Sequence, residues 1–415
     1  MSSDISNASV PNATDIVAAQ YEQWIYPEPI QDLEAYCADG KTDGTAVHEN
    51  HWMYWPDGWY QDQAKEAIDI LVAGCGANAA ARYAYKHPKA RVVGIDLSSQ
   101  SLAHEQFLKD KHGLANLTLH QMPIQEIASL GQTFDFIESC GVIHHLAQPE
   151  EGLRALKHVL RPHGVIALML YGQFGRAGIY MLQDLFRRVG VGQTPQDVAF
   201  VRSVLQELSP EHLAVPMLKT AQDLQYDAGL VDLLLHPVDQ AYTVKGCLDL
   251  LESTGFRFRG WVDPYHYYPE GQISEGHPLR ELLANHPNEA EVWPLMELFH
   301  GRLAMHTFYA RHADSPFTDA TQVTVDANDP AFWQQVPIRR INRVHHPDWA
   351  AGKMPAIQRV PFPPLAMSIE ESKVFNEIDG SHTVAAVVEI SGVSKEKVHQ
   401  WLKLLYRMGY LVFQV

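Results

Sequence analysis

The stretch Ile70-Leu-Val-Ala-Gly-Cys-Gly-Ala-Asn78, followed by Val92-Val-Gly-Ile-Asp-Leu-Ser98, indicates the fold of this chain. An apolar run ends in a glycine turn, a helix-length segment follows, and a second apolar run ends in an acid. Gly74 and Gly76 have no side chain, so the backbone can turn sharply and a ligand can approach it closely. Asp96 lies 20 residues beyond Gly76 (96 − 76), where an acid accepts hydrogen bonds from ribose hydroxyls. The pattern predicts an adenosine-containing cofactor bound to an α/β domain.

Two downstream motifs distinguish between cofactor classes. The third glycine position of the dinucleotide motif is Ala79, which that motif also tolerates, so the turn alone is ambiguous. A third apolar strand leads to FDFIESCGVIHHL at residues 134–146, and a helix then leads to RPHGVIALML at residues 161–170. With the glycine turn and Asp96, this series over residues 60–175 resembles the class I S-adenosylmethionine (SAM) methyltransferases. A glycine turn in a cofactor-free sheet and a NAD-type enzyme are the alternatives at this point.

The resemblance implies a set of cofactor contacts. Gly74 and Gly76 would hold the methionine part of SAM, Asp96 the ribose, and Leu97 the adenine. The family usually places an Asp near the adenine amine, where this chain has Gln121, whose side chain can accept the same hydrogen bond. The implied cofactor-binding residues are Ala73, Gly74, Cys75, Gly76, Asn78, Asp96, Leu97, Gln121, Met122, Cys140 and Gly141.

Aromatic residues before the sheet, and polar ones after the motif strands, are candidates for the substrate side. Segments 21–30 and 51–60 are rich in aromatic side chains, which attract a sulfonium or ammonium cation. They are interpreted as a lid, the alternative being that the rings merely pack onto the core. The lid candidates are Tyr21, Trp24, Tyr26, Trp52 and Trp55; the predicted catalytic residues are Tyr21, His145, Tyr171 and Arg176. His236 and His266 could also line the site, and a structural role is the alternative for each histidine.

Charge and composition exclude several function classes. The formal net charge is −17, whereas binding to phosphates requires clustered Lys and Arg. A nucleic-acid partner is therefore disfavoured, and a basic or neutral acceptor fits the field better. The four cysteines have no CxxC spacing, and the 22 histidines form neither a metalloprotease nor a zinc-finger pattern, so no disulfide framework and no metal are predicted.

The ends of the chain predict its location. The N-terminus lacks the basic region and the apolar core of a signal peptide, and no apolar run is long enough to span a bilayer. We expect a cytoplasmic protein without a membrane partner.

The fold class predicted from this pattern is α/β: a Rossmann-like class I methyltransferase sheet with an N-terminal lid, a helical insertion and a small C-terminal winged-helix-like domain. The predicted boundaries are 1–60 for the lid, 61–313 for the methyltransferase domain with an insertion at 179–245, 314–365 for a linker, and 366–415 for the C-terminal domain. Residues 304–310 alternate like a final edge strand. Residues 366–415 resemble the winged-helix unit of PqqD-like peptide-binding domains, which implies peptide or protein binding; a structural or dimerising role is the alternative.

The predicted function is methyl transfer from SAM to an unidentified small-molecule, peptide or protein acceptor by an enzyme that could form a homodimer. A non-catalytic SAM-binding regulatory protein with the same fold is the alternative.

Overall fold

The computed structural model describes residues 13–38, 47–48, 50–62, 67–315, 323–340, 356–357 and 365–415. A seven-stranded sheet forms the centre of the chain. Its strands are β1 (Asp69–Ala73), β2 (Arg91–Asp96), β3 (Leu117–Gln121), β4 (Phe134–Cys140), β5 (Leu160–Tyr171), β6 (Phe256–Trp261) and β7 (Met305–His312). Strands β1 to β5 pair in parallel, and β7 pairs antiparallel to both β5 and β6. Helices cover both faces, which explains why β1 and β4 are nearly continuous apolar runs.

Helices precede, connect and follow these strands. Those of the N-terminal segment are α1 (Ala13–Gln23), α2 (Leu33–Ala38), α3 (His51–Tyr54) and α4 (Trp59–Asp62). Those between β1 and β6 are α5 (Ala79–Lys86), α6 (Ser99–His112), α7 (Pro149–Val159), α8 (Ala177–Arg188), α9 (Pro195–Gln206), α10 (Val215–Leu218), α11 (Asp227–Leu234) and α12 (Val244–Ser253). Between β6 and β7 lie α13 (Pro278–Ala284) and α14 (Glu289–His300).

The strand order is β3-β2-β1-β4-β5-β7-β6. The chain runs outward from β1 in one direction and from β4 in the other, which opens a crevice at the carboxyl ends of these two strands. The prediction that residues 304–310 form an edge strand is wrong, because β7 lies between β5 and β6 and the edge is β6. Alternating burial tells which face of a strand is covered and says nothing about its neighbours in the sheet.

The insertion between β5 and β6 has its own apolar core. Helices α8, α9 and α11 bury Ile179, Phe186, Val201 and Leu230 against one another. Thr194 begins α9 with a reciprocal capping box to Asp197, so this helix starts at a defined residue. The insertion therefore forms a wall beside the end of β5, with α1 packed near it.

The C-terminal residues form a further compact unit. It contains α15 (Pro330–Gln334), β8 (Val336–Arg339), β9 (Ala356–Ile357), β10 (Leu365–Ala366), α16 (Ile369–Asn376), α17 (Val384–Ser391), α18 (Lys395–Arg407) and β11 (Leu411–Gln414). Strand β8 pairs with β11, and Phe332 of α15 lies in the core of the unit. Part of the predicted 314–365 linker is thus packed against the C-terminal helices. Within the described ranges, no helix has the length and apolar character needed to cross a membrane.

Candidate active site

A cavity of about 300 Å³ lies at the carboxyl ends of the central strands. Its floor is the glycine turn after β1 and the end of β4, and α1 with the segment after it closes the top. Of the predicted cofactor-binding residues, those that line it are Gly74, Cys75, Gly76, Asp96, Leu97, Met122, Cys140 and Gly141. The roles of these residues stay predictions, but the fold brings them to one place.

The glycine turn is held in a form that suits a closely bound ligand. Gly74 and Gly76 have φ angles of +80° and +55°, a conformation that residues with a side chain adopt rarely. The Gly76 N–H donates to Asp96 Oδ2 at 2.7 Å, and the Ser98 N–H donates to Asp96 Oδ1 at 2.9 Å. Burial raises the pKa of the Asp96 carboxyl, and these N–H donors act against that shift. The carboxylate is thereby fixed at the cavity wall, where ribose hydroxyls can reach it.

The N-terminus of α5 is blocked to a phosphate. Glu105 of α6 accepts hydrogen bonds from the N–H groups of Ala80 and Ala81, both at 2.8 Å. In dinucleotide-binding folds such N–H groups face the pyrophosphate. Because Glu105 already accepts from these N–H groups, the site fits a cofactor that has no phosphates, such as SAM. Sequence reasoning missed Glu105, although its spacing from Ser101 and Leu108 places it on the buried face of α6.

Three of the predicted cofactor-binding residues do not line the cavity. Ala73 is fully buried and its carbonyl accepts a hydrogen bond from Ser139 Oγ at 2.9 Å. Gln121 donates from Nε2 to the carbonyl oxygen of Leu97 at 2.9 Å, so it supports the predicted adenine wall from outside. Asn78 points away from the turn to the N-terminal segment.

Asn78 holds the segment that crosses the glycine turn, residues 26–30, which we call the strap. Its Oδ1 accepts from the Ile30 N–H and its Nδ2 donates to the Glu28 carbonyl, both at 3.0 Å. A Cβ atom on Gly76 would lie 2.8 Å from Pro27 Cδ and 3.0 Å from the Tyr26 carbonyl oxygen. The strap therefore packs directly on the turn.

The predicted lid residues separate into two groups. Tyr21 and Tyr26 line the cavity. Trp24 packs against the insertion and donates from Nε1 to the Gln193 carbonyl at 3.1 Å. Trp55 is fully buried in the main core, and Trp52 lies beside the ring of His51, neither at the cavity wall. For these three tryptophans the packing alternative describes the structure.

Among the predicted catalytic residues, Tyr21, His145 and Tyr171 line the cavity and Arg176 does not. The Arg176 guanidinium carbon lies 3.5 Å from the centroid of the Tyr171 ring, and Nη2 lies 3.6 Å from Asp239 Oδ2. Arg176 is only 3% exposed. Arg176 stacks behind Tyr171 and supports that ring. The place of Arg176 after β5 in the sequence could not reveal this role.

Two charged residues at the cavity wall, Arg82 and Glu138, were missed from the sequence. Glu138 lies inside the FDFIESC motif, where the next residue but one, Cys140, was chosen instead. Burial raises the pKa of the Glu138 carboxyl, and a hydrogen bond from Cys140 opposes this.

Two histidines that the sequence suggested as further site residues, His236 and His266, do not line the cavity. His236 is buried behind Tyr21, and His266 lies edge-on to His300, away from the cavity wall. Among the residues that the structure describes, two overlapping groups of ligand-type side chains occur: His144, His145 and Asp239, and His145, Asp232 and His236. Both are buried beside Tyr171 and Tyr21, and their chemistry is considered below.

Comparisons with known proteins agree with this geometry. Residues 71–166 match the family described as "Methyltransferase domain". An uncharacterized protein of Synechococcus is 26% identical over 325 residues, covering 75% of each chain. A tRNA U34 carboxymethyltransferase of Saccharophagus degradans is 31% identical over 116 residues, which are 28% of this chain and 36% of that protein. The structure of PKMT2 from Rickettsia typhi in complex with AdoHcy is similar in fold, with a TM-score of 0.60, 12% identity, and coverage of 90% of this chain and 76% of that one.

The sheet topology, the glycine turn beside Asp96, the blocked phosphate position and the family match define the sheet domain as a class I methyltransferase that uses S-adenosylmethionine. The predicted Rossmann-like methyltransferase sheet, enzyme class and cofactor are confirmed, whereas the N-terminal lid and the winged-helix character of the C-terminal domain stay predictions. The resemblance of the C-terminal unit to PqqD-like domains stays a prediction.

Proposed function

We propose that this enzyme transfers the methyl group of SAM to a small-molecule, peptide or protein acceptor whose reacting group enters the cavity beneath α1. The observation that carries the proposal is the continuity of one cavity from the cofactor side, at Gly76 and Asp96, to a polar aromatic side formed by Tyr21, Tyr171 and His145. A cofactor-binding protein without an acceptor needs only the first half.

Bound SAM supplies a methyl group already activated by its sulfonium charge. The protein has to orient the acceptor and exclude water. Tyr21 and Tyr26 line the cavity, and the faces of aromatic rings attract a sulfonium cation. The strap and α1 would keep water from the reacting atoms.

The charge of the chain supports an acceptor that is not a nucleic acid. The chain carries a formal net charge of −17, and the charged side chains at the cavity wall include Asp96, Glu138 and Arg82. A polyanion would meet repulsion from this field. The C-terminal unit is a candidate docking site for a peptide or protein acceptor, and a homodimer and a cytoplasmic location stay predictions.

The test is an incubation of host lysate with SAM labelled on its methyl group, followed by separation into small molecules, RNA and protein. Asp96→Ala, which lacks the ribose acceptor, is the blank. Label in small molecules or protein supports the proposal, and label in RNA would contradict the acceptor class. If wild type binds SAM and no fraction gains label over the blank, the non-catalytic SAM-binding alternative replaces enzymatic transfer.

A further inference from the structure

A directed chain of hydrogen bonds leads out of the cavity through Tyr21. The Tyr21 hydroxyl lies 2.9 Å from Asp232 Oδ1 and 3.3 Å from His236 Nε2. The backbone N–H of Val238 donates to His236 Nδ1 at 3.1 Å. Because Nδ1 accepts, the neutral ring carries its proton on Nε2 and donates to the Tyr21 oxygen. The Tyr21 hydroxyl must then donate to Asp232, so the direction of the whole chain is fixed.

Asp232 is a buried carboxylate that lacks a counter-ion. It is 3% exposed, on α11, and forms no ion pair within the described part of the chain. The titratable and charged groups that face it are Tyr21, Tyr26, His145, Tyr171, Arg176, His236 and Asp239. Asp239 already neutralises Arg176, at 3.6 Å, and accepts from Gln183 Nε2 at 2.9 Å.

The states of the neighbouring groups leave Asp232 as the base of the cluster. Burial holds the pKa of His236 well below its usual range, so that ring stays neutral. Burial also raises the pKa of the Asp232 carboxyl, which increases its affinity for a proton. Within this chain of hydrogen bonds only Tyr21 lines the cavity, so along the chain a proton reaches Asp232 through the Tyr21 hydroxyl. His145 also lines the cavity, but its Nδ1 pairs with the Val238 carbonyl at 2.8 Å and it has no hydrogen bond to Tyr21.

We propose that Asp232, acting through the Tyr21 hydroxyl, takes up the proton that the methyl acceptor loses, so that the acceptor presents an O–H or N–H group at the methylated atom. This proposal rests on the function proposed above. The acceptor lone pair forms the new bond to the methyl carbon, and the electrons of the broken C–S bond stay on sulfur. The acceptor proton moves to the Tyr21 oxygen while the Tyr21 proton moves to Asp232.

Charge balance gives this arrangement its physical reason. An ionised carboxylate near the cavity is balanced by the sulfonium cation before transfer. Transfer removes that positive charge from sulfur, and the proton arriving at Asp232 replaces it. The buried cluster thereby avoids an uncompensated charge at either stage. Tyr21 touches the acceptor in this account, and Asp232 acts through it as a positioning and proton-accepting residue.

A metal ion is a weaker explanation for the same residues. The ligand atoms of His145, Asp232 and His236 lie within 4.8 Å of one another. A metal would need the lone pair of His236 Nε2, which carries the proton because Nδ1 accepts from Val238. A purely structural explanation is that the Tyr21–Asp232 bond ties α1 to α11 and closes the lid. The test has to separate this tie from proton transfer.

The test measures protons released when the cofactor binds, by calorimetry in two buffers of different ionisation enthalpy, from about pH 4 to about pH 8, where a buried carboxyl titrates. SAM, whose sulfonium favours ionised Asp232, should release up to about one proton per molecule bound at the optimum pH. S-adenosylhomocysteine shares the ribose that Asp96 would hold but has no charge on its sulfur, so SAM should release more protons than this product does. Asp232→Asn keeps an oxygen that accepts from Tyr21 but cannot ionise, so the excess release with SAM should vanish and the preference for SAM over the product should fall about tenfold.

Asp227→Asn is the matched control, since it removes an exposed carboxylate of the same helix, paired with Arg202, and should leave proton release unchanged. Tyr21→Phe gives a second arm: label incorporation from SAM into the lysate acceptors should fall about 100-fold or more while SAM still binds. The proposal is overturned if wild type and Asp232→Asn release equal numbers of protons, or if wild type shows no SAM-specific release at any pH. The structural explanation, in which the Tyr21–Asp232 bond only ties α1 to α11, would then remain. If wild type does not bind SAM at all, the proposed function itself is overturned.

Discussion

Gly76 meets two separate structural demands. Its φ of +55° favours glycine, and its missing side chain leaves room for the strap. The motif predicted the first demand, because glycine turns of this kind are local in sequence. The second depends on Pro27, 49 residues away (76 − 27), and no local pattern could show it.

Gly76→Ala should therefore lose SAM binding by about tenfold or more and lower the melting temperature. The added Cβ would meet Pro27 Cδ at 2.8 Å and displace the strap, besides a left-handed backbone cost of about 1–2 kcal/mol. Gly113→Ala is the control, since it has a φ of +63° and nothing within 4 Å of the added Cβ. It should lower stability alone, as measured by melting and by calorimetric titration of SAM. Equal loss of SAM affinity in both variants would contradict the packing argument.

Asp96→Asn tests the ribose contact. The change preserves one acceptor oxygen but removes the charge that strengthens hydrogen bonds from ribose hydroxyls. We expect SAM affinity to fall about 10-fold to 100-fold, since a hydrogen bond to a charged group contributes roughly 1.5–3 kcal/mol. Fluorescence titration with SAM measures it. If the folded variant binds SAM with unchanged affinity, the ribose does not contact Asp96.

Among the helices and strands, the sequence predicted the type of each segment better than its neighbours in the fold. Strands β1, β2 and β4 follow from apolar runs and the glycine turn. The position of β7 between β5 and β6 did not follow, because pairing partners are set by distant parts of the chain. The same holds for Asn78, which belongs to the turn by sequence and to the strap by contact.

The strap supplies a prediction about cofactor release. Asn78→Ala removes both hydrogen bonds to residues 28–30, each contributing about 1 kcal/mol, and leaves the cavity wall intact. SAM should dissociate about tenfold faster, measured by stopped-flow, and the Ile30 amide should exchange its hydrogen faster.

Asn116→Ala is the control for the strap, because Asn116 Nδ2 also donates to backbone carbonyls, those of Ala84, His87 and Ala90, on the far side of the domain. It should lower stability without changing SAM dissociation. Identical dissociation rates in Asn78→Ala and wild type would show that the strap does not retain the cofactor.

At the scale of the whole molecule, the C-terminal unit is attached through a buried charge cluster. Arg407 of α18 contacts Glu270 and Glu289, both at 2.5 Å, and is 5% exposed. The Tyr268 hydroxyl donates to the second oxygen of Glu289 at 3.1 Å. The predicted C-terminal domain contains three helices, α16 to α18, and nothing in its local sequence marks Arg407 as buried. Burial of a charge depends on its partner, and these partners lie more than a hundred residues away.

Arg407→Ala should lower the free energy of unfolding by about 3 kcal/mol or more, because it leaves two carboxylates without their cation at a buried contact. Thermal and denaturant unfolding measure this loss. Lys397→Ala, on the same helix as Arg407, removes an exposed pair with Glu370 of α16 and should leave the melting temperature nearly unchanged. Similar stabilities of the two variants would show that the Arg407 cluster does not hold the domains together.

The central claim is that the cavity beneath α1 holds SAM with its sulfur facing the tyrosines. The most direct measurement is a crystal structure of the protein with S-adenosylhomocysteine bound. We expect the ribose hydroxyls on Asp96, the amino acid part over Gly74 and Gly76, and the sulfur on the side of Tyr21 and Tyr171. A product bound elsewhere, or with its sulfur turned away from Tyr21, would contradict it.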